Sequence, residues 1–207
     1  MPLEAADAVR VALNLLEDEG LDKLTVRRLA TGLGVKAPAL YWHFHSKRAL
    51  LDHMTDAIVA PVVAGLPDGG PWLKWLEDAA SALHAALLAH RDGARVALGA
   101  DFTTARALGE FAERAVEVLH EAGFPIGEAT RAAGVLVHFV LGRAVEDQAR
   151  PGPSEEAAAI ETIPFPLMAR GLRERHAAGA TVADDFRYAL GILLAGLRAT
   201  CPARTVR

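Results

Sequence analysis

Apolar residues along this chain recur every three or four positions and β-branched alternation is scarce, a pattern that predicts an all-α protein. From about Glu4 to Glu19, Ala8, Ala12, Leu15 and Leu16 share one helical face, Val9 and Leu13 flank it, and Gly20 stops the run. Thr25 offers a side-chain oxygen to cap a second helix holding Val26, Leu29 and Ala30. Gly32-Leu33-Gly34 supplies a turn, and Pro38 suits the first turn of a short third helix that ends near Phe44. Ser46 caps a fourth helix running through Leu50, Leu51, Met54 and Ile58, which Pro61 is expected to bend or end.

The segment Leu66-Pro67-Asp68-Gly69-Gly70-Pro71 breaks the pattern and marks the expected boundary between two units, residues 1–65 (with 46–65 as a connecting helix) and 71–200. Beyond it, helices are predicted at about 72–90, 103–122, 127–149, 165–177 and 181–199, with a turn of helix near Ala94–Leu98. Arg150 to Glu156, rich in proline and glycine, reads as a mobile loop. Two of the later helices carry small residues on apolar stretches: Ala133, Gly134 and Gly142 in one, Gly191, Ala195 and Gly196 in the other. A glycine inside a helix costs about 1 kcal/mol relative to alanine, so close helix approach is expected, in the core or between two copies of the chain.

A composition of 52% hydrophobic residues in 207 provides for a substantial core. The single cysteine, Cys201, forms no intramolecular disulfide, which fits a reducing cytosol, and its place near the end of the chain argues against a reactive role. The start Met1-Pro2-Leu3-Glu4 has no basic stretch ahead of an apolar run, and no apolar stretch reaches the roughly 18 residues needed to span a bilayer without charge. The expectation is a soluble cytoplasmic protein without a membrane partner.

Charge changes the picture most. Between Asp22 and Asp52 stand six cations, Lys23, Arg27, Arg28, Lys36, Lys47 and Arg48, with two histidines and no carboxylate. The chain's net charge is −4, which leaves −10 for everything outside this window. One-sided charge within a small module is the footprint of a surface that meets phosphates. Two short helices joined by a glycine-containing turn, moreover, make a helix-turn-helix, whose second helix enters the major groove.

In that unit Val26, Leu29, Ala30, Leu33, Val35, Leu40 and Phe44 are expected to form the core. Lys36 offers donors to guanine or phosphate, Ala37, Pro38 and Ala39 apolar contact to thymine methyls, and Arg27 a bidentate reach to guanine. Thr25, Tyr41, Trp42, His43 and Lys47 carry donors suited to phosphate oxygens. His43 and His45 have no further ligands at metal spacing, so neither a metal nor a cofactor is expected.

The stretch LTVRRLATGLGVKAPALYWHFHSKRALLDHM resembles the DNA-binding domain of the tetracycline-repressor (TetR) family, and Tyr41-Trp42-His43 with Lys47-Arg48-Ala49-Leu50-Leu51-Asp52 looks most like its tetracycline-responsive subgroup. His90-Arg91-Asp92-Gly93-Ala94-Arg95-Val96, Val137-His138-Phe139, Leu141-Gly142 and Glu146-Asp147-Gln148 are similar to that subgroup's regulatory domain. The resemblance implies a homodimer with two DNA heads on a pseudo-palindromic double-stranded operator and a helical core that binds a small-molecule effector. It further implies that His138 lines the effector pocket and that Glu146 acts from across the dimer.

Departures from that subgroup fall in the effector region. Ala97 stands where the subgroup has a magnesium-ligating histidine, Ala100-Asp101-Phe102 where it has Thr-Arg-Pro, and Val63, Ala79 and Leu83 where it has drug-contacting His, Asn and Phe. Without those donors a charged metal chelate is poorly oriented, so the expected effector is a small, largely apolar molecule other than magnesium-tetracycline. Leu83, Phe102, Phe111, Val116, Leu136 and His138 are its expected contacts, with Glu146 contributing to the site.

Two rival functions are weaker. His90-Arg91-Asp92 has no accompanying phosphate loop or strand pattern, and Gly32-Leu33-Gly34 follows a helix rather than a strand, so an enzyme is not expected. A repressor that ignores small molecules is the other alternative; effector-induced release from DNA separates it from the favoured reading.

Overall fold

The computed structural model describes residues 4–202, and these form eleven helices with no strand among them. Helix α1 (Ala5–Glu19) ends at Gly20, whose φ of +82° suits only glycine and whose N–H closes on the Leu16 carbonyl at 2.9 Å. The Thr25 hydroxyl accepts from the Arg28 N–H at 3.1 Å and so caps α2 (Val26–Gly32). Helix α3 (Ala37–Tyr41) opens with proline in its first turn, and Ser46 caps α4 (Lys47–Ala64) by accepting from the Ala49 N–H at 3.1 Å. Leu29, Ala30, Leu40 and Phe44 are buried between these helices, while Val26, Leu33 and Val35 are half-buried against them.

Helix α4 packs on α1 at one side and on α5 (Trp72–Leu88), α6 (Gly93–Ala97) and α7 (Arg106–Glu121) at the other, so one apolar core runs through it. Helix α8 (Ile126–Gln148) lies against α5, α6 and α7, and α11 (Val182–Thr200) covers α5 and α8. Thr181 and Asp184 form a reciprocal capping box at the start of α11.

Two expectations change and a third narrows. Residues 150–156 are not a loop throughout: α9 (Pro153–Glu161) begins inside them and packs on α10 (Pro166–Ala177). Proline at the first helical position and carboxylates in the first turn start a helix, and the Arg150 guanidinium is held by Glu156 at 2.8 Å and Asp185 at 3.0 Å. Pro61 does not end α4, which runs on to Ala64; the proline sits one turn from a terminus where few bonds remain to break. Of the small residues on α8 and α11, Ala133 is buried in the chain's own core, but the glycines are not explained by packing within the chain, because a Cβ added at Gly134, Gly142, Gly191 or Gly196 meets nothing within 4 Å.

Candidate nucleic-acid interface and effector cleft

The turn between α2 and α3 holds the head's polar face outward. Thr25, Arg27, Lys36, Pro38, Ala39, Tyr41, Trp42, His43 and Lys47 are all exposed, Trp42 to 85%, whereas Ala37 is half-buried at the edge of the core. An indole that open to water on an otherwise well-packed head is available to an external surface.

The six cations of the basic window divide into two groups. Arg28 is tied to Glu19, and that pairing raises its pKa and lowers that of the glutamate. Arg48 bonds Asp52 at 2.8 Å and reaches the carbonyls of Val96 at 2.8 Å and Leu98 at 2.9 Å, so it ties the start of α4 to the end of α6. Lys23, Arg27 and Lys36 are exposed and have no side-chain partner among the described residues. Lys47 donates to the Leu21 carbonyl at 3.1 Å, a neutral partner that leaves its charge uncompensated. Four positive charges thus remain on the exposed face of the head.

Residues 90–95 join this head to the larger unit. His90 Nδ1 lies 2.9 Å from Glu17, Arg91 donates to the carbonyls of Glu17 and Asp18, and Arg95 bridges Asp22 and Asp92. Asp92 accepts from the Leu21 N–H at 2.8 Å. Burial alone would raise its carboxyl, but the bonds from Leu21 and Arg95 outweigh burial and hold it below the ordinary carboxylate range. Asp92 also adopts φ +56°, a left-handed conformation that few non-glycine residues hold. From behind, the Gln148 amide donates to Leu87 and His90 and accepts from Ala94 N–H. The motif was visible in the sequence, but its partners stand some 70 residues away and left no local signal.

The residues expected to contact an effector separate into two sets. Phe102 and His138 line one cleft of about 210 Å³, with Leu98, Gly99, Leu108, Val137 and Gly142. Ala97, the position with histidine in the resembling subgroup, is on its wall as well. Leu83, Phe111 and Leu136 are fully buried and Val116 nearly so, and none of the four lines that cleft. Glu146 is exposed on the same face of α8 as Val135, His138 and Gly142, outside the cleft. The wall formed by Leu98 and Gly99 was missed because it is a short connection between helices, whose apolar residues follow no period.

A two-helix reader with a cationic face, held by a jointed helical bundle, defines a DNA-binding regulator in architecture. Residues 8–54 match the family described as "Bacterial regulatory proteins, tetR family", and residues 64–201 match "Tetracyclin repressor-like, C-terminal domain". The chain belongs to the TetR family of bacterial transcriptional regulators. It is 36% identical over 199 residues to the class A tetracycline repressor from transposon 1721 of Escherichia coli, covering 94% of this chain and 90% of that one. A possible TetR-family regulator from Streptomyces coelicolor A3(2) is 40% identical with a TM-score of 0.82, covering 95% of this chain and 99% of that chain. A TetR variant from Acinetobacter baumannii AYE, solved with minocycline, is 32% identical with a TM-score of 0.78 and covers 98% and 97%. No helix among the described residues is long and apolar enough to cross a membrane.

Proposed function

We propose that this regulator is a homodimeric cytoplasmic repressor that binds a pseudo-palindromic operator and leaves it when a small, largely apolar effector other than magnesium-tetracycline binds. The observation that carries DNA binding is the exposed face of the head, where Lys23, Arg27, Lys36 and Lys47 keep their charge and Trp42 stands in solvent. Tyr41, His43 and Thr25 flank that face as phosphate donors, and the head spacing of a two-fold dimer fixes the operator's symmetry.

Dimerisation is supported by apolar side chains on two helix faces, Val135 on α8 and Tyr188 and Ile192 on α11, beside glycines with open space at their Cβ positions. The effector reading is supported by the apolar wall around Phe102 and by Ala97 in place of an imidazole, which deprives the cleft of a metal ligand. Glu146, exposed on the same face of α8 as His138, is read as contributing at the margin of the cleft, from across the dimer. Leu83, Phe111, Val116 and Leu136 are buried in the core. Through Arg48 the wall residue Leu98 is bonded to the start of α4, so an effector that prefers one position of that wall biases the head. A preference of about 2.7 kcal/mol corresponds to roughly a hundredfold change in operator affinity.

Titration of the chain with magnesium and tetracycline in a calorimeter tests the effector reading. Heat absent up to high micromolar drug is the expected result; micromolar or tighter binding refutes it. Sedimentation of the same sample as a monomer would refute the dimer.

A further inference from the structure

We propose that this head reads its half-site through guanine acceptors and thymine methyl groups, with no side-chain hydrogen bonding to the edges of adenine or cytosine. The inference rests on the DNA-binding reading above and specifies its chemistry. Major-groove reading of adenine uses an Asn or Gln amide, which donates and accepts at once, and reading of cytosine uses a carboxylate acceptor. From Lys23 to Leu51 the sequence contains no Asn, Gln, Asp or Glu.

Hydroxyls are the next source of acceptors, and two of them in this window already accept from the backbone. Thr25 accepts from the Arg28 N–H and Ser46 from the Ala49 N–H, while Thr31, whose O–H is given to the Arg27 carbonyl at 3.1 Å, lies on α2 rather than on the recognition helix. Tyr41, His43 and His45 retain exposed polar atoms, but they follow or end α3, whereas base edges are met by the N-terminal residues of a recognition helix. That N-terminal end is Lys36, Ala37, Pro38 and Ala39.

What it presents is one ammonium and a run of methyl and methylene groups. Lys36 is exposed without a partner among the described residues, and so is Arg27 on the preceding helix; both are donors only, and guanine offers them two adjacent acceptors, N7 and O6, where adenine offers N7 alone beside an amino donor. Pro38 and Ala39 are exposed apolar groups of the size that meets a thymine methyl, while Ala37 leans on the core and limits how far α3 can roll in the groove. Each G·C or T·A pair is then identified from the strand that carries the guanine or the thymine.

The test uses the full chain and the duplex it selects from a random library. In that duplex each guanine is replaced singly by 7-deazaguanine, each thymine by deoxyuridine and each adenine by 7-deazaadenine, and binding is followed by anisotropy at fixed salt. At least one guanine replacement is expected to weaken binding about tenfold or more. At least one thymine replacement is expected to weaken it about three- to fourfold, the worth of one methyl contact, and no adenine replacement to matter. Tenfold loss at any adenine, or no effect at any guanine or thymine, overturns the proposal while leaving DNA binding intact. Selection of no sequence at all overturns the DNA-binding reading itself. Lys36→Gln, an exposed substitution that leaves the fold unchanged by circular dichroism, is expected to shift the selected base at one position from guanine to adenine. If Lys36→Ala weakens all duplexes equally and lowers the salt slope by about one, Lys36 contacts phosphate and its assignment to a base is wrong.

Discussion

The head and the bundle of this regulator treat the same residue type in opposite ways. Arg27 on the head is exposed without a partner among the described residues, whereas Arg150 at the end of α8 is held by Glu156 and Asp185, and Arg175 on α10 by the same two carboxylates. At Arg150 and Arg175 the bundle closes charge on itself; at Arg27 the head leaves it open. Closed charge contributes to folding and adds little to recognition, while open charge adds little to folding and is available to phosphates. The division also runs through the basic window itself, because Arg28 and Arg48 belong to the closed class although they lie between open neighbours.

The two regions meet at residues 90–95, and the largest expected effect lies there. A Cβ at Gly93 would be driven into the Leu87 carbonyl oxygen, which is backbone and has little freedom to yield. Gly93→Ala is expected to cost about 3 kcal/mol or more in urea unfolding, since relief requires the turn that carries Asp92 and Arg95 to move. A cost below about 1 kcal/mol would mean that the joint is loose, and the head and bundle less firmly connected than the hydrogen bonds imply.

The next prediction sets one open arginine against one closed arginine. Arg27→Ala is expected to lower operator affinity about ten- to a hundredfold and to leave the unfolding midpoint within about 0.5 kcal/mol. Arg150→Met is expected to do the reverse: it takes one of two guanidinium partners from Glu156 and Asp185, leaving them to Arg175, and costs about 1–2 kcal/mol of stability with operator affinity little changed. Parallel loss of both quantities in either variant would erase the distinction. The Glu156 carboxyl, held below its ordinary range chiefly by the hydrogen bond from Arg150, provides an independent readout by rising toward that range in the Met variant.

The head was legible in the sequence because its information is local. Thr25, Gly32, Pro38 and Ser46 punctuate a segment whose apolar positions have one arrangement, and the cations stand out against an acidic chain. The bundle's helices were legible for the same reason, since their period is written in each helix separately. Its cleft was not: it forms where residues 97–102 meet residues 137–142, and apolar helix positions such as Phe111 and Leu136 read alike whether they face a ligand or a neighbour. Helix α9 was hidden because Pro151-Gly152-Pro153 looks like a loop until Arg150 finds carboxylates on α9 and α11.

The smallest effect concerns the one buried histidine of the bundle. His84 lies 2.9 Å from Asp147, its ring stacks on Phe186 with centroids 3.9 Å apart, and Arg143 occupies the other side of Asp147. Burial lowers its pKa below the ordinary 6.5 in spite of the carboxylate beside it, with Arg143 adding to the shift. A base with a lowered pKa binds its proton more readily in the unfolded chain, so its contribution to stability is complete above about pH 6.5. That contribution is lost as pH falls through the unfolded value toward the folded one. The lowered carboxylates, Asp92 and Glu156 among them, work in another window, at and below about pH 4. Urea midpoints measured between about pH 7.5 and 5.5 are therefore expected to fall in the native chain and to fall less in His84→Leu, which leaves Asp147 paired with Arg143. Equal slopes would show that the proton goes elsewhere, and a matching slope in operator affinity measured on the folded protein would show that the bundle's closed charges reach the head after all.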